Sequence, residues 1–336
     1  MNIAIVGATG NVGRKLIEVL EKRNFKISEL FLVASSKSEG KKINFSGKEY
    51  TVIDLEKFDF SKVKIAFFAA GSAIAEKWAN VAAEKTIVID NSKFFRKDPD
   101  IPLIVPEVNS KELAQVKNKN IIANANCSVI PIVVALKPLH DLYNIRRIVV
   151  STYQSVSGAG KAPMDELLSQ TQEHFENKKL ESKYFTKQIA FNAIPHIDSF
   201  LENGYTKEEQ KTTDEIKKIL DKKIKITSTC VRIPVLVSHS ISANVEFNKK
   251  CNLEEIKNVL NTSPGCKVVD EHKDGGYMTP VEAQDRFETF VSRVRLDESQ
   301  SNSINMWIVS DNLLKGAALN AVEIAENLVE KDFYGK

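Results

Sequence analysis

A glycine-rich turn near the start of the chain constrains the fold more than any other feature. The apolar segment Ile3 to Val6 leads into it, glycines recur at positions 7, 10 and 13, and the following residues have the apolar spacing of an amphipathic helix. Small residues let the backbone approach a pyrophosphate, and a helix N-terminus offers it N–H groups. An isolated glycine spacing is often only a tight turn, but this position between strand and helix favours nucleotide binding.

Strand-like and helix-like segments alternate through the first third of the chain. In order they are "LFLVASS", "KEYTVIDL", "KIAFFAAG", "AEKWANVAAEK", "TIVIDNS" and "PLIVPEV". Such alternation is typical of a doubly wound parallel sheet, which is an α/β architecture. The chain has 336 residues, a length that suggests two domains.

Composition narrows the classes of partner. Lysine and arginine number 47 and aspartate and glutamate 44, so the net charge is only +3, which argues against a nucleic-acid surface or a polybasic membrane patch. No apolar run approaches the ~20 residues that cross a bilayer, and the first residues lack the pattern of a signal peptide. The cysteines are widely spaced, as in a reducing compartment, and the histidines show no metal-ligand spacing. We therefore expect a cytoplasmic protein with no membrane, nucleic-acid or metal partner.

The end of the second predicted strand bears on the choice of cofactor. An acidic residue there would hold the ribose 2′-OH of NAD, but this chain has Ser35, Ser36, Lys37 and Ser38. Hydroxyl groups and a cation suit a 2′-phosphate, so the sequence favours NADP. A polar surface loop is the alternative, and Glu39 close by is an acid that could serve NAD.

Cys127 stands at the front edge of a long apolar run. That run is long enough for a helix, and Pro131 is tolerated only in its first turn, so we place Asn126 near the N-cap and Cys127 at the helix start. A thiol there faces the positive end of the helix dipole, which favours the nucleophilic thiolate. A buried structural cysteine is the alternative. The dinucleotide fold favours the nucleophile, because a thiolate beside a nicotinamide is the arrangement that forms or reduces a thioester.

Three polar residues that follow Cys127 in the chain are further candidates. Gln154 follows a predicted strand and precedes a turn rich in serine and glycine, where it is either a structural polar residue or part of a site. Glu208 and Lys211 are three residues apart on a predicted helix. On this pattern alone they are interpreted as a solvated ion pair.

A later strand carries a histidine on its apolar face. The alternating residues that define this face are Val235, Val237, Ile241, Ala243 and Val245. His239 shares their parity, so it is either a satisfied core residue or a base tuned by burial. Arg232 has the opposite parity, so the strand must bend at Pro234 if both side chains line one pocket.

Taken together, these segments resemble the aspartate-semialdehyde dehydrogenase family over nearly the whole chain. The matching motifs, in order, are "GATGNVG", "FFRKDPDIPLIVPEVN", "NANCS", "STYQSVSGAG", "FNAIPHID", "YTKEEQKTTDEIKKIL", "CVRIPVLVSHS", "ETFVSRVRLD" and "MWIVSDNLLKGAALNAVEIAE". The resemblance implies a Rossmann-type NADP-binding domain formed by residues 1–126 and 310–336. It also implies an α+β catalytic and dimerisation domain at 127–309, a C-terminal helix that returns to the nucleotide domain, and a homodimer.

The resemblance assigns a role to each candidate. Cys127 resembles the acyl-thioester nucleophile, His239 the general acid/base, and Gln154 the residue that orients the substrate. Arg232 would bind the substrate α-carboxylate through its guanidinium fork, with Glu208 near the amino group. Phosphate would be bound by Arg96 and Lys211.

The resemblance also implies a set of NADP-binding residues: Gly7, Thr9, Gly10, Asn11, Val12, Ser35, Lys37, Ser38, Ser157, Gly158 and Asn312. The chain departs from the family pattern at two positions. Lys37 stands where the family often has arginine, which removes the forked geometry for a 2′-phosphate. Ala125 stands where several relatives carry proline, a change that does not touch the chemistry.

The implied reaction is the NADPH-dependent reduction of 4-phospho-L-aspartate to L-aspartate 4-semialdehyde through a cysteine thioester, with release of inorganic phosphate. Its product feeds the synthesis of lysine (by way of diaminopimelate), methionine and threonine. Alternatives are related acyl-phosphate and acyl-CoA reductases: N-acetylglutamyl-phosphate reductase, glyceraldehyde-3-phosphate dehydrogenase and an archaeal-type malonyl-CoA reductase. An alternative of another class is a non-catalytic NADP-binding sensor on the same fold, against which the presence of both nucleophile and base argues.

Overall fold

The computed structural model describes residues 1–331, which form two compact units. The first unit consists of Met1–Asn126 and the segment that begins at Ala317, and the second unit is Cys127–Gly316. Within residues 1–331, none of the helices combines the length and the apolar character that a membrane span requires.

The first unit is built on a parallel sheet. Its elements before the chain leaves it are β1 (Asn2–Val6), α1 (Asn11–Lys22), β2 (Glu29–Ala34), β3 (Lys42–Phe45), β4 (Lys48–Thr51), β5 (Ile53–Asp54), β6 (Ile65–Phe68), α2 (Ser72–Ala83), β7 (Ile87–Asp90), β8 (Leu103–Ile104), α3 (Pro106–Asn109) and β9 (Ile121–Asn124). Seven strands pair in parallel in the order β5-β2-β1-β6-β7-β9-β8, and β3 and β4 form a separate hairpin.

Burial explains why these segments form a parallel sheet. Every residue of β6, β7 and β9 is buried, as expected for strands that are covered on both faces. Helix α1 buries the apolar stripe read from the sequence, which comprises Leu16, Ile17, Val19 and Leu20. The α/β class and the doubly wound parallel sheet predicted from the alternating pattern are confirmed.

The second unit has a mixed sheet. Its elements are α4 (Val129–Tyr143), β10 (Ile145–Gln154), α5 (Lys161–Phe175), α6 (Lys207–Ile219), β11 (Lys225–Arg232), β12 (His239–Phe247), α7 (Leu253–Thr262), β13 (Cys266–Val268), α8 (Pro280–Ala283), β14 (Thr289–Leu296) and β15 (Ser303–Ser310). The strand order is β11-β10-β12-β15-β14-β13. The β10–β11 and β13–β14 pairs are parallel, and the other pairs are antiparallel.

The chain then returns to the first unit through α9 (Asn320–Glu330). There Arg23, just after α1, donates hydrogen bonds of 2.7 and 2.6 Å to the carboxylate of Glu326. The return begins later than predicted, because residues 310–316 belong to the second unit. Asp311 explains this, since its carboxylate accepts backbone hydrogen bonds from Asp285 and from Leu314 within that unit.

The predicted start of the helix after Cys127 is wrong by two residues. Helix α4 begins at Val129 and has Ser128 at its N-cap, so neither Asn126 nor Cys127 occupies the predicted position. Pro131 is consequently the third helical residue, where the missing N–H costs no intrahelical hydrogen bond. Cys127 lies in the turn that leads into α4.

The predicted strand face around His239 is also wrong at its first end. Strand β12 begins only at His239, and residues 233–238 form an irregular connection from β11. Val235 and Val237 therefore lie outside the strand, whereas His239, Ile241 and Ala243 share its buried face as predicted. Pro234 lies within the irregular segment, where a proline removes no ladder hydrogen bond.

Candidate active site

A cysteine and a histidine lie within contact distance in the second unit. The Cys127 sulfur is 3.3 Å from Nε2 of His239. His239 is completely buried at the first position of β12, whereas Cys127 is only partly buried. The pair therefore combines a nucleophile with a group able to donate or accept a proton, which is the arrangement of covalent catalysis.

Sheet topology brings the other candidates to the same edge. Strands β10 and β11 are parallel, and their last residues, Gln154 and Arg232, are register partners. Strand β12 runs antiparallel to β10, with Ser240 opposite Tyr153. The first residue of β12, His239, thus lies at the edge where the other two strands end. The opposite parity of Arg232 and His239 presents no obstacle, because they are on different strands.

The Arg232 guanidinium is anchored and buried at this edge. Its Nη1 donates a 2.6 Å hydrogen bond to the carbonyl oxygen of Ser155. Burial lowers the pKa of Arg232, although Glu208 and Cys127 act in the opposite direction. A Cβ at Gly158 would lie 3.3 Å from both this Nη1 and the ring of His239. The missing side chain of Gly158 therefore leaves space beside both groups.

Glu208 and Lys211 form an ion pair in which Glu208 is buried and Lys211 is largely shielded from solvent, so the prediction of a solvated pair is wrong. The pair is 2.6 Å long, and the two side chains are 8% and 15% exposed. Helix α6 presents Glu208 inward, and Gln154 Nε2 donates a 3.4 Å hydrogen bond to it. Asp198 pairs with Lys211 at 3.0 Å. Burial acts to lower the pKa of Lys211, but the two carboxylates outweigh it and the pKa is raised.

Burial also determines the protonation state of His239. It lowers the pKa of the imidazole from 6.5 to about 3, and the charge of Arg232 acts in the same direction. Glu208 and a backbone hydrogen bond of Ser238 oppose this shift and are outweighed. His239 is consequently neutral at physiological pH, and its chemistry is that of a neutral imidazole.

In the first unit, the glycine turn has the geometry of a phosphate cradle. Gly7 adopts a φ of +89°, and a Cβ there would lie 2.7 Å from the Ala69 backbone; a Cβ at Gly13 would lie 2.2 Å from the Gly7 carbonyl oxygen. Side chains at these positions would fill the turn. Gly10 caps α1 without a side-chain hydrogen bond, which leaves the helix N-terminus open to an anion. The turn therefore fits a dinucleotide pyrophosphate.

The remaining candidates of the first unit lie as follows. The Thr9 and Ser38 hydroxyl oxygens are 3.5 Å apart. Ser35 and Lys37 are exposed. Glu39, the acid that could have served NAD, is paired with Lys57 at 2.8 Å. Arg96 is buried, and its Nη2 donates a 3.0 Å hydrogen bond to the carbonyl oxygen of Asn91.

The sequence interpretation gave no role to three residues that shape the site. Asp198 holds Lys211, although its motif "FNAIPHID" was among those that carried the resemblance. Ser155 contacts His239 through its backbone N–H and its hydroxyl. Gly316 lies against the nucleophile, since a Cβ there would be 2.9 Å from Cys127 Cβ. The sequence feature that could have indicated Gly316 is its place within an apolar helical segment, where glycine is unfavourable and often has a packing reason.

Comparison with known proteins agrees with this geometry. Residues 2–116 match the family model "Semialdehyde dehydrogenase, NAD binding domain", and residues 136–315 match "Semialdehyde dehydrogenase, dimerisation domain". The aspartate-semialdehyde dehydrogenases of Aquifex aeolicus and Rickettsia bellii are 50% and 48% identical to this chain, each alignment covering 98% of both sequences. Aspartate semialdehyde dehydrogenase II from Vibrio cholerae, solved also in complex with ASA, is 48% identical with a TM-score of 0.96 over 98% of both chains.

The dinucleotide turn and the contact between a partly buried cysteine and a buried histidine fit one class of enzyme, the nicotinamide-dependent dehydrogenases with a cysteine in the site. The sequence identity of 50% and 48% to two aspartate-semialdehyde dehydrogenases, over nearly the full length, narrows this class to one family. The chain belongs to the aspartate-semialdehyde dehydrogenase family, and it is therefore an oxidoreductase of amino-acid biosynthesis.

Proposed function

We propose that the enzyme reduces 4-phospho-L-aspartate to L-aspartate 4-semialdehyde, reversibly and with NADPH, through a thioester on Cys127. The observation that carries this proposal is the 3.3 Å contact between the Cys127 sulfur and His239 Nε2, at the sheet edge where Gln154 and Arg232 are register partners. A nucleophile, a proton-handling group and an anchor for a carboxylate are thus present in one unit.

In the first step, the Cys127 thiolate attacks the acyl carbon of the substrate. A carbon–sulfur bond forms, the carbon–oxygen bond to phosphate breaks, and phosphate leaves and takes up a proton. His239 Nε2, beside the sulfur, is the general acid/base of the resemblance. Because the imidazole is neutral and buried, it interacts with sulfur and oxygen without competition from bulk water.

NADPH, held by the residues proposed below for the cofactor, would supply the hydride that reduces the thioester to the level of a hemithioacetal. His239 then stabilises the hemithioacetal oxygen. Collapse of the hemithioacetal re-forms the carbonyl bond, breaks the carbon–sulfur bond and returns the Cys127 thiolate. The cycle consumes one proton, which leaves with the phosphate released in the first step.

Substrate recognition is proposed for the charged residues around this pair. Arg232 binds the α-carboxylate, because a guanidinium fork matches a carboxylate, and Gln154 orients the substrate. Glu208 binds the α-amino group. Arg96 and Lys211 bind phosphate, with Lys211 sharing its charge between Glu208 and Asp198.

For the cofactor we propose NADP, bound in the first unit by the turn residues Gly7 and Thr9 to Val12 together with Ser35, Lys37 and Ser38. Among residues 1–331 Lys37 has no ion-pair partner, so its charge is available for a 2′-phosphate. The pairing of Glu39 with Lys57 supports the same choice. Ser157, Gly158 and Asn312 of the second unit complete the proposed set. The match to a dimerisation domain supports a homodimer, and we propose a cytoplasmic location.

The experiment that tests the reaction follows nicotinamide absorbance with L-aspartate 4-semialdehyde, with and without inorganic phosphate, and with NADP or NAD. Phosphate-dependent formation of NADPH is expected, with slower formation of NADH. Cys127→Ala is expected to abolish turnover and to retain NADP binding. A wild-type enzyme that instead reduces malonyl-CoA and ignores the semialdehyde would favour the acyl-CoA reductase alternative.

A further inference from the structure

A chain of hydroxyl and amide groups ends at the ring nitrogen of His239 that faces away from Cys127. Asn312 Nδ2 donates to Ser157 Oγ at 2.9 Å. The Ser157 and Ser155 hydroxyl oxygens are 3.1 Å apart, and Ser155 Oγ is 3.1 Å from His239 Nδ1. The backbone N–H of Ser155 approaches the same Nδ1 at 3.1 Å.

The backbone N–H of Ser155 decides the direction of this chain. A backbone N–H can only donate, so His239 Nδ1 must accept. The proton of the neutral ring is then on Nε2, which faces the Cys127 sulfur. Both serine hydroxyls also lie 3.1 Å from Asn312 Oδ1, which is an alternative acceptor for their protons. In either arrangement Nδ1 accepts from the Ser155 backbone.

Asn312 is the fixed end of the network. The backbone N–H of Ser238 donates to Asn312 Oδ1 at 2.8 Å, which settles which amide atom is oxygen and leaves Nδ2 for Ser157. Asn312 is only 2% exposed. Its amide therefore connects the segment before His239 to the turn after β10, and both segments contact the ring.

We infer that Asn312 is a positioning residue that, through Ser155, Ser157 and Ser238, holds His239 in the tautomer with its proton on Nε2. The inference rests on the proposed place of His239 beside the reacting sulfur, and it refines the general acid/base of the resemblance to a hydrogen-bond donor that keeps its proton. It adds to the proposed contact of Asn312 with the cofactor a second task, namely control of the imidazole proton.

The tautomer determines what His239 can do. An Nε2–H donates a hydrogen bond to the Cys127 thiolate, and later to the oxygen that acquires negative charge when the thioester is reduced. The ring need not gain or lose a proton, because collapse of the hemithioacetal anion returns the thiolate directly. A pKa of about 3 for His239 agrees with a ring that stays neutral. The opposite tautomer would present a lone pair to both anions and would repel them.

The test uses Asn312→Ala in the full-length enzyme. We expect kcat for semialdehyde oxidation to fall about 30-fold, less than on loss of the imidazole itself, because misplacement of a catalytic histidine costs part of its contribution. The KM for NADP is expected to rise as well, because Asn312 is also proposed to contact the cofactor. Ser155→Ala keeps the backbone donor and is expected to lower kcat less. The variant that combines Asn312→Ala with Ser155→Ala is expected to lose less kcat than the product of the two single losses, because both residues act through one ring.

Asn109→Ala is the matched control. Asn109 is also buried, and its amide makes hydrogen bonds to Val105, Leu103 and Glu112 in the first unit. The Asn109→Ala variant measures the effect of losing a buried asparagine amide that does not contact His239. We expect the kcat of this variant to match that of the wild type. Thermal unfolding of all variants verifies that they are folded.

The direct readout is ¹⁵N NMR of histidine-labelled enzyme, with the His239 signals assigned from the spectrum of His239→Asn. Wild type should show a protonated Nε2 and an unprotonated Nδ1. Asn312→Ala should show a mixture of tautomers at His239 alone, because the turn that carries the Ser155 N–H is then no longer tied to the segment before His239. A protonated Nδ1 in the wild type would overturn the inference, as would a raised KM for NADP with unchanged kcat in Asn312→Ala. A wild type without turnover, or an active His239→Asn, would instead contradict the proposed function.

Discussion

At the scale of single residues, the environment of His239 makes stability depend on pH. Its pKa is about 3 in the folded protein and 6.5 without the fold, so between these values the unfolded chain binds a proton that the native state excludes. The native state therefore loses stability as the pH falls below 6.5, and this contribution vanishes at higher pH.

We accordingly predict that His239→Asn weakens the acid sensitivity of the fold. Between pH 7 and pH 5 the wild type should lose about 2 kcal/mol of unfolding free energy more than the variant, since one titrating group changes stability by at most about 1.4 kcal/mol per pH unit. Urea unfolding at several pH values measures the difference. Parallel pH dependences in the two proteins would show that His239 takes up a proton in the native state as readily as in the unfolded chain.

Arg232 offers a second prediction at this scale. Arg232→Lys keeps the charge but loses the fork, so KM for the semialdehyde should rise about tenfold or more, while kcat changes less. Arg146→Lys is the control, because its side chain is 58% exposed and pairs with Glu246 at 3.1 Å. Steady-state kinetics of both variants are the measurement. An unchanged KM for Arg232→Lys would remove this residue from substrate binding.

At the scale of elements, the sequence predicted which segments form helices and strands better than it predicted where those elements begin. The glycine turn, α1 and the buried parallel strands follow from local patterns, which is why they were predicted. The start of α4 was missed because Ser128 was a competing N-cap, and only packing decides between adjacent polar residues. Pro234 correctly predicted a break after Arg232. The alternating apolar residues Val235 and Val237 nevertheless suggested that the strand of His239 begins earlier than it does. The pairing of β11 with β10, which brings Arg232 to Gln154, is a long-range choice that no local pattern contains.

The turn before α1 supports a prediction at the element scale. Gly13→Ala should lower the free energy of unfolding by about 1–3 kcal/mol, because the new Cβ meets backbone that cannot move without opening the turn. At Gly10 the Cβ would lie 3.4 Å from the Gly7 carbonyl oxygen, and φ is an ordinary −79°. Gly10→Ala is thus the control for stability, with an expected change within about 1 kcal/mol. Equal urea midpoints for the two variants would contradict the steric argument.

At the scale of the whole molecule, the resemblance carried more of the site than the local patterns did. It assigned roles to Glu208 and Lys211, which a charge pattern alone assigned to solvent. Their burial follows from tertiary packing, since α6 contacts β11 and presents Glu208 toward Gln154. The extent of the first unit was less predictable, because no local pattern in the sequence marks the point after β15 at which the chain passes from the second unit to the first.

The last prediction at this scale concerns the choice between NADP and NAD. Because a bound ligand stabilises the native molecule, the stability of the enzyme reports how tightly each dinucleotide binds. At 100 times its Kd, NADP should stabilise the enzyme by about 2.7 kcal/mol, and NAD at equal concentration should stabilise it less. Lys37→Ala should reduce the Tm shift with NADP and leave the shift with NAD unchanged, since only the 2′-phosphate meets that charge. Lys48→Ala, an exposed lysine of the β3–β4 hairpin, should change neither shift. If Lys37→Ala lowers both shifts equally, Lys37 contacts a part common to the two dinucleotides, and NADP preference must come from Ser35 and Ser38.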